Sequence, residues 1–456
     1  MTAVVAILNK TGMALAADSA ATITNGDTST SKVFNTANKV FTLSKHHPVA
    51  IMIFNNAEFL YTPWELIIKL YRKNLKKKSF RTVKEYSDDF RKFLIKNELL
   101  NFRKKEKAFL TTKLQVIVNG IINETRNHLY SQSDYDALSA LQDLDSHEDI
   151  PSEKIDSVKR IISILESIID KDIVIFNDSD KVEGLNEVDL KSFKQSNKSF
   201  IYEIIDDVFK NSTPLLLHSD NIEELRAKIA DLFISILSSN HFLLGFTGLV
   251  FVGYGNEQLY PALYSIQTDG VVSGNLRYSV TGDIVISDEH NCDLVPFAQT
   301  DVMNTFIQGI NPELYNVVND SLYKSLASNL DTYNDIIIAN TEGEVNEELL
   351  ETLKQDFKES IMVSMQNNIQ SVLHNSHIQP TLQALRFLSK EDLAELAESL
   401  IYLTFLKRRT TSSLESVGGA IDVAIISKGD GFIWKKRKHY FEDKLNQHFF
   451  QNYFDQ

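Results

Sequence analysis

The feature that most constrains the fold is the start of the chain, where apolar residues begin almost at once. Residues 3–8 are apolar, residues 9–12 read Asn-Lys-Thr-Gly, and a second apolar run at residues 13–17 ends on Asp18. Two short apolar runs joined by such a turn predict a β-hairpin. Because chain ends are loose unless a sheet holds them, we expect the N-terminal residues to be fixed in a sheet.

Strand and helix signals then alternate in long blocks. A second hairpin is predicted at residues 39–43 and 49–54, a helical period begins at Trp64, and amphipathic helices are predicted over residues 75–220 and 300–408. The remaining predicted strands lie at residues 249–255, 262–267, 271–280, 420–426 and 431–434. This order favours an α+β fold with helices layered on sheets over a series of regular βαβ units.

Two helix signals are sharper than the others. Between residues 155 and 168, apolar residues recur at spacings of three and four, which is typical of one buried helix face. The sequence Ser-Lys-Glu-Asp at residues 389–392 precedes an apolar run and matches a capping box. We therefore predict a helix that begins just after Ser389.

Composition narrows the class of protein. The chain has 456 residues, enough for two or three average domains, and a formal net charge of −14, which argues against a nucleic-acid partner. Cys292 is the single cysteine, so no intrachain disulfide forms. Neither a signal peptide nor an apolar run long enough to span a membrane is evident. We expect a cytoplasmic protein with no membrane partner, no bound metal and no cofactor.

Thr2 is the residue whose position suggests chemistry. Removal of Met1 would leave Thr2 with a free α-amine, whose reference pKa of about 7.7–8.0 suits a general base near neutral pH. Nucleophile and base then belong to one residue, as in N-terminal threonine nucleophiles. A plain alternative stays open, because threonine is common at position 2 without any catalytic role, and Asp18 and Lys39 also suit a turn and a solvated strand end.

Through an ordered set of short segments, the sequence resembles the proteasome β subunits and the related bacterial ring-protease subunit, which are N-terminal nucleophile hydrolases. The residues that carry the resemblance are Thr2, residues 17–22, 39–40, 54–57, 64–65 and 252–255, the helix after Ser389, and residues 417–420. The resemblance implies a four-layer αββα sandwich of two antiparallel sheets flanked by helices. Residues 1–74 and 221–456 would form its core, with a helical insertion at residues 75–220 and a helical extension around residues 300–388.

The resemblance also implies catalytic roles. Thr2 would be the nucleophile, Lys39 would ease the loss of its hydroxyl proton and keep the α-amine neutral, and Asp18 would hold Lys39 charged and oriented. The backbone N–H of Asn56 would bind the oxyanion, although many relatives carry glycine there.

Further roles concern the substrate and the residues before the Gly-Gly pair. Thr22 and Asn55 would contact an extended substrate in the manner of a β-strand. Relatives place an aspartate and a serine just before the Gly-Gly pair, where this chain has Leu414 and Val417. Ser416, one position away, is the expected substitute for the serine, and Glu415 for the aspartate.

We therefore expect a threonine peptidase that cleaves peptide or other amide bonds. Two alternatives stay open: an inactive proteasome-like assembly or binding protein, and an amidase or acylase that acts on small molecules. The family implies assembly into a homo-oligomer. Because no P-loop pattern is present, a separate ATPase would have to unfold any folded substrate.

Overall fold

The computed structural model describes residues 3–24, 31–144, 149–340, 346–411, 417–439 and 441–447. These residues form a mixed α+β protein with antiparallel sheets, so the predicted class is confirmed. The strands are β1 (Val4–Asn9), β2 (Gly12–Ala17), β3 (Ala21–Thr24), β4 (Ser31–Phe34), β5 (Val40–Thr42), β6 (Val49–Asn55), β7 (Glu58–Phe59), β8 (Thr62–Pro63), β9 (Thr247–Gly253), β10 (Ala262–Val272), β11 (Asn275–Val285), β12 (Cys292–Phe297), β13 (Asp422–Ser427) and β14 (Gly431–Lys436). The α-helices are α1 (Trp64–Leu75), α2 (Val83–Lys96), α3 (Phe102–Ser131), α4 (Tyr135–Leu141), α5 (Ile155–Asp178), α6 (Glu187–Ser196), α7 (Lys198–Ser212), α8 (Ile222–Ser238), α9 (Asp301–Gln308), α10 (Pro312–Asn340), α11 (Glu347–Leu373), α12 (Gln379–Leu385) and α13 (Lys390–Thr410).

The chain divides into two compact units. The first unit comprises Met1–Phe54, Val252–Ala262 and Ile284–Gln456. The second unit comprises Asn55–Phe251 and Leu263–Asp283. No helix among the described residues is both long enough and apolar enough to cross a membrane.

A five-stranded antiparallel sheet with the strand order β12-β1-β2-β13-β14 forms the centre of the first unit. β1 and β2 pair from Val4 opposite Ala17 to Asn9 opposite Gly12, so the predicted opening hairpin is confirmed. The Asn9 side chain stabilises the turn, because its Oδ1 accepts hydrogen bonds from the Thr11 N–H at 2.9 Å and the Thr11 hydroxyl at 2.7 Å.

Helix α13 covers one face of this sheet. Alternate residues of β1 and β2 point toward it, and small side chains such as Ala14 and Ala16 allow the close approach of Ala394 and Ala397. The capping box is present, because the Ser389 side chain accepts from the helix and Asp392 reaches back to the Ser389 backbone. The predicted start of this helix is confirmed.

The other face of the sheet lies against the hairpin β5–β6. Val40 pairs with Met52 and Thr42 with Ala50, so the second predicted hairpin is also confirmed. The ring of Phe54, on β6, lies 5.4 Å from the ring of Phe297 on β12. With both faces covered, β1 and β2 are buried along their whole length and consist of apolar residues almost throughout.

The second unit combines the strands β9, β10 and β11, which are neighbours in this order, with a group of helices. Aromatic rings connect these strands to the helices. The ring centroid of Phe90 on α2 lies 5.5 Å from that of Phe251 on β9 and 4.9 Å from that of Tyr71 on α1. Helix α5 packs against α3, α4 and α8, and helix α7 packs against α3 and α8. The apolar stripe predicted between residues 155 and 168 is buried on α5.

Two strand predictions are wrong in detail. The predicted break between residues 267 and 271 does not exist, because β10 is continuous and the turn falls on Ser273 and Gly274. Both turn residues have positive φ, 53° and 73°, which suits a tight two-residue hairpin turn. Strand β12, at the edge beside β1, was not predicted at all.

Candidate functional site

A buried ion pair between Asp18 and Lys39 forms the centre of the candidate site in the first unit. Lys39 Nζ lies 2.6 Å from Asp18 Oδ1, and the two side chains are only 6% and 1% exposed. Asp18 directly follows β2, and Lys39 directly precedes β5, where its carbonyl accepts from Ile53 N–H at 2.9 Å. Both residues therefore sit at strand ends that the sheets fix in place.

The Asp18 carboxylate is held by the backbone of three separate segments. Oδ1 accepts from the Ala3 N–H at 2.9 Å, and Oδ2 accepts from the N–H groups of Ala20 at 3.0 Å and Gly418 at 3.2 Å. The carbonyl of Ala3 in turn accepts from the Asp18 N–H at 3.1 Å. A charged carboxylate with this many donors has its orientation fixed.

The Gly418–Gly419 pair shapes the loop that reaches this carboxylate. Ser19 donates its N–H to the Gly418 carbonyl at 3.0 Å and its hydroxyl to the Ala420 carbonyl. Gly419 has a φ of +78°, and a Cβ there would lie 2.9 Å from Asn35 Cβ. Glycine is therefore needed at residue 419 for both its backbone conformation and its lack of a side chain.

Burial dominates the electrostatics of Lys39. Desolvation lowers the pKa of the Lys39 ammonium below its ordinary value, and the attraction and hydrogen bond of Asp18 oppose that shift. An ammonium in such surroundings acts strongly on any neighbouring group that gains negative charge, because little water screens it. The arrangement can thus stabilise an anionic oxygen near Lys39.

The structure brings together two of the predicted site residues, Asp18 and Lys39. Thr2 and Ser416 lie outside the described residues, as do Leu414 and Glu415. Of the residues that flank these positions, Ala3 donates its N–H to Asp18 Oδ1. Val417 is buried in the apolar cluster beneath α13.

The other predicted residues, Thr22, Asn55 and Asn56, are each described within their own element. Thr22 belongs to β3 and pairs with Val33 of β4. Asn55 and Asn56 lie at the start of the second unit, and Asn55 has a φ of 65°. The N–H of Asn56, the expected oxyanion donor, donates to the Phe246 carbonyl at 3.2 Å. It would have to give up this bond before it could bind an oxyanion.

A second ion pair, between Asp422 and Lys438, lies beside the first and was not predicted. Asp422 begins β13 directly opposite Ala17 of β2, so it is next to Asp18 across the sheet. Its Oδ1 accepts from the Lys438 N–H at 2.9 Å, and its Oδ2 forms an ion pair with Lys438 Nζ. A lone acidic residue in the apolar sequence of β13 was the available signal, since a buried carboxylate requires a partner.

Comparison with known proteins returned no similarity. No family model matches the chain, and no curated protein or solved structure matches it significantly. Among the described residues, no group of three or more His, Cys, Asp or Glu side chains is arranged to hold a metal ion.

Proposed function

We propose that the protein is an N-terminal threonine hydrolase that cleaves peptide or other amide bonds, with Thr2 as nucleophile. One observation carries the proposal: the Ala3 N–H and the Lys39 ammonium share the same oxygen of Asp18. Thr2 is covalently bonded to that Ala3 nitrogen. The shared oxygen supports a role for Lys39 as the cation that acts on Thr2.

In the proposed reaction, the Thr2 α-amine, freed by removal of Met1, accepts the hydroxyl proton while the hydroxyl oxygen attacks an amide carbonyl. The C–N bond breaks, the leaving amine takes the proton, and the acyl group remains on Thr2 as an ester. Water then attacks the ester, releases the acid and restores the hydroxyl. Lys39 stays charged, keeps the α-amine neutral and eases loss of the hydroxyl proton.

The layers of the first unit support the wider family proposal. Helix α13, the β12-β1-β2-β13-β14 sheet and the β5–β6 hairpin follow one another as three layers. We propose that they belong to the αββα sandwich of N-terminal nucleophile hydrolases. A homo-oligomeric ring, a separate ATPase and a cytoplasmic location are parts of the same proposal.

A second candidate function is an inactive assembly or binding protein on the same fold. Two observations favour it over an active enzyme. Val417 is buried at the position where relatives carry a serine, and the Asn56 N–H is already hydrogen-bonded. This alternative predicts full biological function in a protein whose Thr2 cannot react.

Intact-mass spectrometry and an electrophilic probe test the proposal. We expect the native protein to lack Met1 and to gain one adduct from a β-lactone or epoxyketone probe, located on Thr2. Thr2→Ala should lose both the adduct and amide hydrolysis. Thr11→Ala is the matched control, because Thr11 lies in the β1–β2 turn and its hydroxyl donates locally, to the Asn9 side chain.

Two results would overturn the proposal. The first is retention of Met1 in protein that hydrolyses amides, because Thr2 would then have no free amine. The second is unchanged hydrolysis in Thr2→Ala. Loss of activity in Thr11→Ala as well would point to damage of the hairpin instead of loss of a nucleophile.

A further inference from the structure

We propose that Asp422 and Lys438 form a positioning pair for the candidate site, which sets the electrostatic environment of the Lys39 ammonium. This inference deepens the proposed function and rests on it for its catalytic meaning. The electrostatic effect of the pair can be tested without measuring hydrolysis, because it concerns the protonation of Lys39 alone.

The geometry of β13 places the pair next to the first one. Ala17 and Asp422 are direct partners in the β2–β13 ladder, and Asp18 is the next residue along the chain. The same segment supplies the Gly418 N–H that binds Asp18 Oδ2. The segment from Gly418 to Asp422 therefore binds the Asp18 carboxylate through the Gly418 N–H and itself carries the Asp422 carboxylate.

Lys438 is anchored to Asp422 at two points. Its backbone N–H donates to one carboxylate oxygen at 2.9 Å, and its ammonium pairs with the other oxygen. Both side chains are largely buried, at 15% exposed for Lys438 and 4% for Asp422. A surface ion pair would contribute little, but a pair this buried and doubly bonded has a fixed position.

The two members of the pair act on Lys39 in opposite directions. The charge of Lys438 lowers the pKa of Lys39, and the charge of Asp422 raises it. Among the described residues, the charged groups that act on Lys39 are Asp18 after β2, Asp422 on β13 and Lys438 after β14. Two cations and two anions from four segments thus act together, and the second pair adjusts how firmly Lys39 keeps its proton.

The decisive measurement is the titration of Lys39 in the full chain. Protein labelled with ¹³C-lysine is followed by NMR across the alkaline range, and the Lys39 signal is assigned by its absence in Lys39→Arg. We expect Lys438→Gln to move the Lys39 midpoint upward and Asp422→Asn to move it downward. The double variant should lie between the two single variants, and Lys438→Arg should stay near the unaltered protein.

The opposite directions of the two expected shifts in the Lys39 midpoint separate an electrostatic role of the pair from a merely structural one. If the pair only held the chain in place, both variants would lose stability without opposite shifts of Lys39. Unchanged midpoints, or shifts in the same direction, would overturn the inference. If Asp422→Asn fails to fold, Lys438→Gln against Lys438→Arg still decides, because only the first removes the positive charge.

Activity distinguishes failure of this inference from failure of the proposed function. If Thr2 reacts, the alkaline limb of the pH–rate profile should move with the Lys39 midpoint, up in Lys438→Gln and down in Asp422→Asn. If neither hydrolysis nor a Thr2 adduct is found, the proposed function fails, and the catalytic meaning of the pair fails with it. The NMR shifts then still decide whether the pair acts on Lys39.

Discussion

Each unit of the molecule buries a lysine against an aspartate, and the two pairs differ in what else holds the carboxylate. In the first unit, Asp18 binds Lys39 and three backbone N–H groups. In the second unit, Asp269 binds Lys113 at 2.5 Å and Arg277 at 2.7 Å through a single oxygen. Among the described residues, the donors to Asp269 are therefore all cationic side chains, whereas most of those to Asp18 are backbone amides.

Arg277 explains the composition of the second cluster. Its guanidinium donates to backbone carbonyls at the C-terminal end of α8 and just after it, namely those of Ile236, Leu237, Ser239 and His241. Carbonyls at a helix end lack partners within the helix, so Arg277 satisfies them. Asp269 then neutralises the buried guanidinium, and within the described part of the chain its Oδ1 has no hydrogen-bond partner.

A buried lysine beside an aspartate occurs in both units and does not by itself mark a reactive centre. The Lys113 cluster joins helices α3 and α8 to β10 and β11, and we expect its role to be structural. The Lys39 pair instead includes a hydrogen bond from the backbone N–H of Ala3, the residue that follows the proposed nucleophile in the sequence. Four predictions test this difference, in order of decreasing effect.

Asp269→Asn should produce the largest loss of stability. It leaves Lys113 and Arg277 buried without a negative charge, which typically costs about 3–5 kcal/mol. Chemical denaturation measures the loss. Asp283→Asn, which removes a half-exposed carboxylate 3.8 Å from Lys84, is the matched control and should change the free energy of unfolding by under ~0.5 kcal/mol. Similar values for the two variants would contradict a structural role for the cluster.

Lys39→Met should reduce hydrolysis, or labelling of Thr2, by about a hundredfold or more, as expected for a group that assists proton transfer. Asp18 keeps its backbone donors, so the loss of stability should be smaller than in Asp269→Asn. Lys113→Met is the control with the same side-chain change and should keep its activity. Equal loss of activity in both variants would remove the distinction between the two pairs.

Gly419→Ala should lower stability by about 1–2 kcal/mol, because alanine resists positive φ and its Cβ would crowd Asn35. Activity should fall further, since the neighbouring Gly418 N–H holds Asp18. Gly429→Ala has open space around its Cβ and serves as the control. Thermal melts and rates of the two variants side by side check this prediction.

Lys113→Met should have the smallest effect at neutral pH, within about 1 kcal/mol, because Asp269 and Arg277 still neutralise each other. Burial lowers the pKa of Lys113 to about 8 from an ordinary 10.5. The unfolded chain then binds more protons than the folded one between these values, so wild-type stability rises with pH there. Denaturation from pH 7 to 10.5 should show this rise in the wild type relative to Lys113→Met; parallel curves would contradict it.

Local elements of the fold were predictable from the sequence. The β1–β2 hairpin has its turn residues between two apolar runs, and the start of α13 has Ser389 and Asp392 at capping-box spacing. These signals lie within a few residues of one another, so no distant contact is needed to recognise them. The Asp18–Lys39 contact was predictable only through the resemblance to a family.

Contacts between distant parts of the chain were not predictable. Strand β12 lacks a strong signal of its own, and it is fixed by pairing with β1, with Leu294 opposite Ile7. The Asp269–Lys113–Arg277 cluster joins residues up to 164 positions apart without any motif. A buried charge is paired because leaving it unpaired costs much free energy, and its partner can lie anywhere in the sequence. A linear sequence pattern therefore does not identify the partner.

The bond from Gly418 to Asp18 spans 400 positions and has a consequence for biosynthesis. The aspartate is synthesised 400 residues before the loop that completes its hydrogen bonds. Chains that stall before residue 418 therefore lack one of the three backbone donors that hold this carboxylate. If the proposed hydrolysis requires a fixed Asp18, the reaction can begin only after residue 418 has been made.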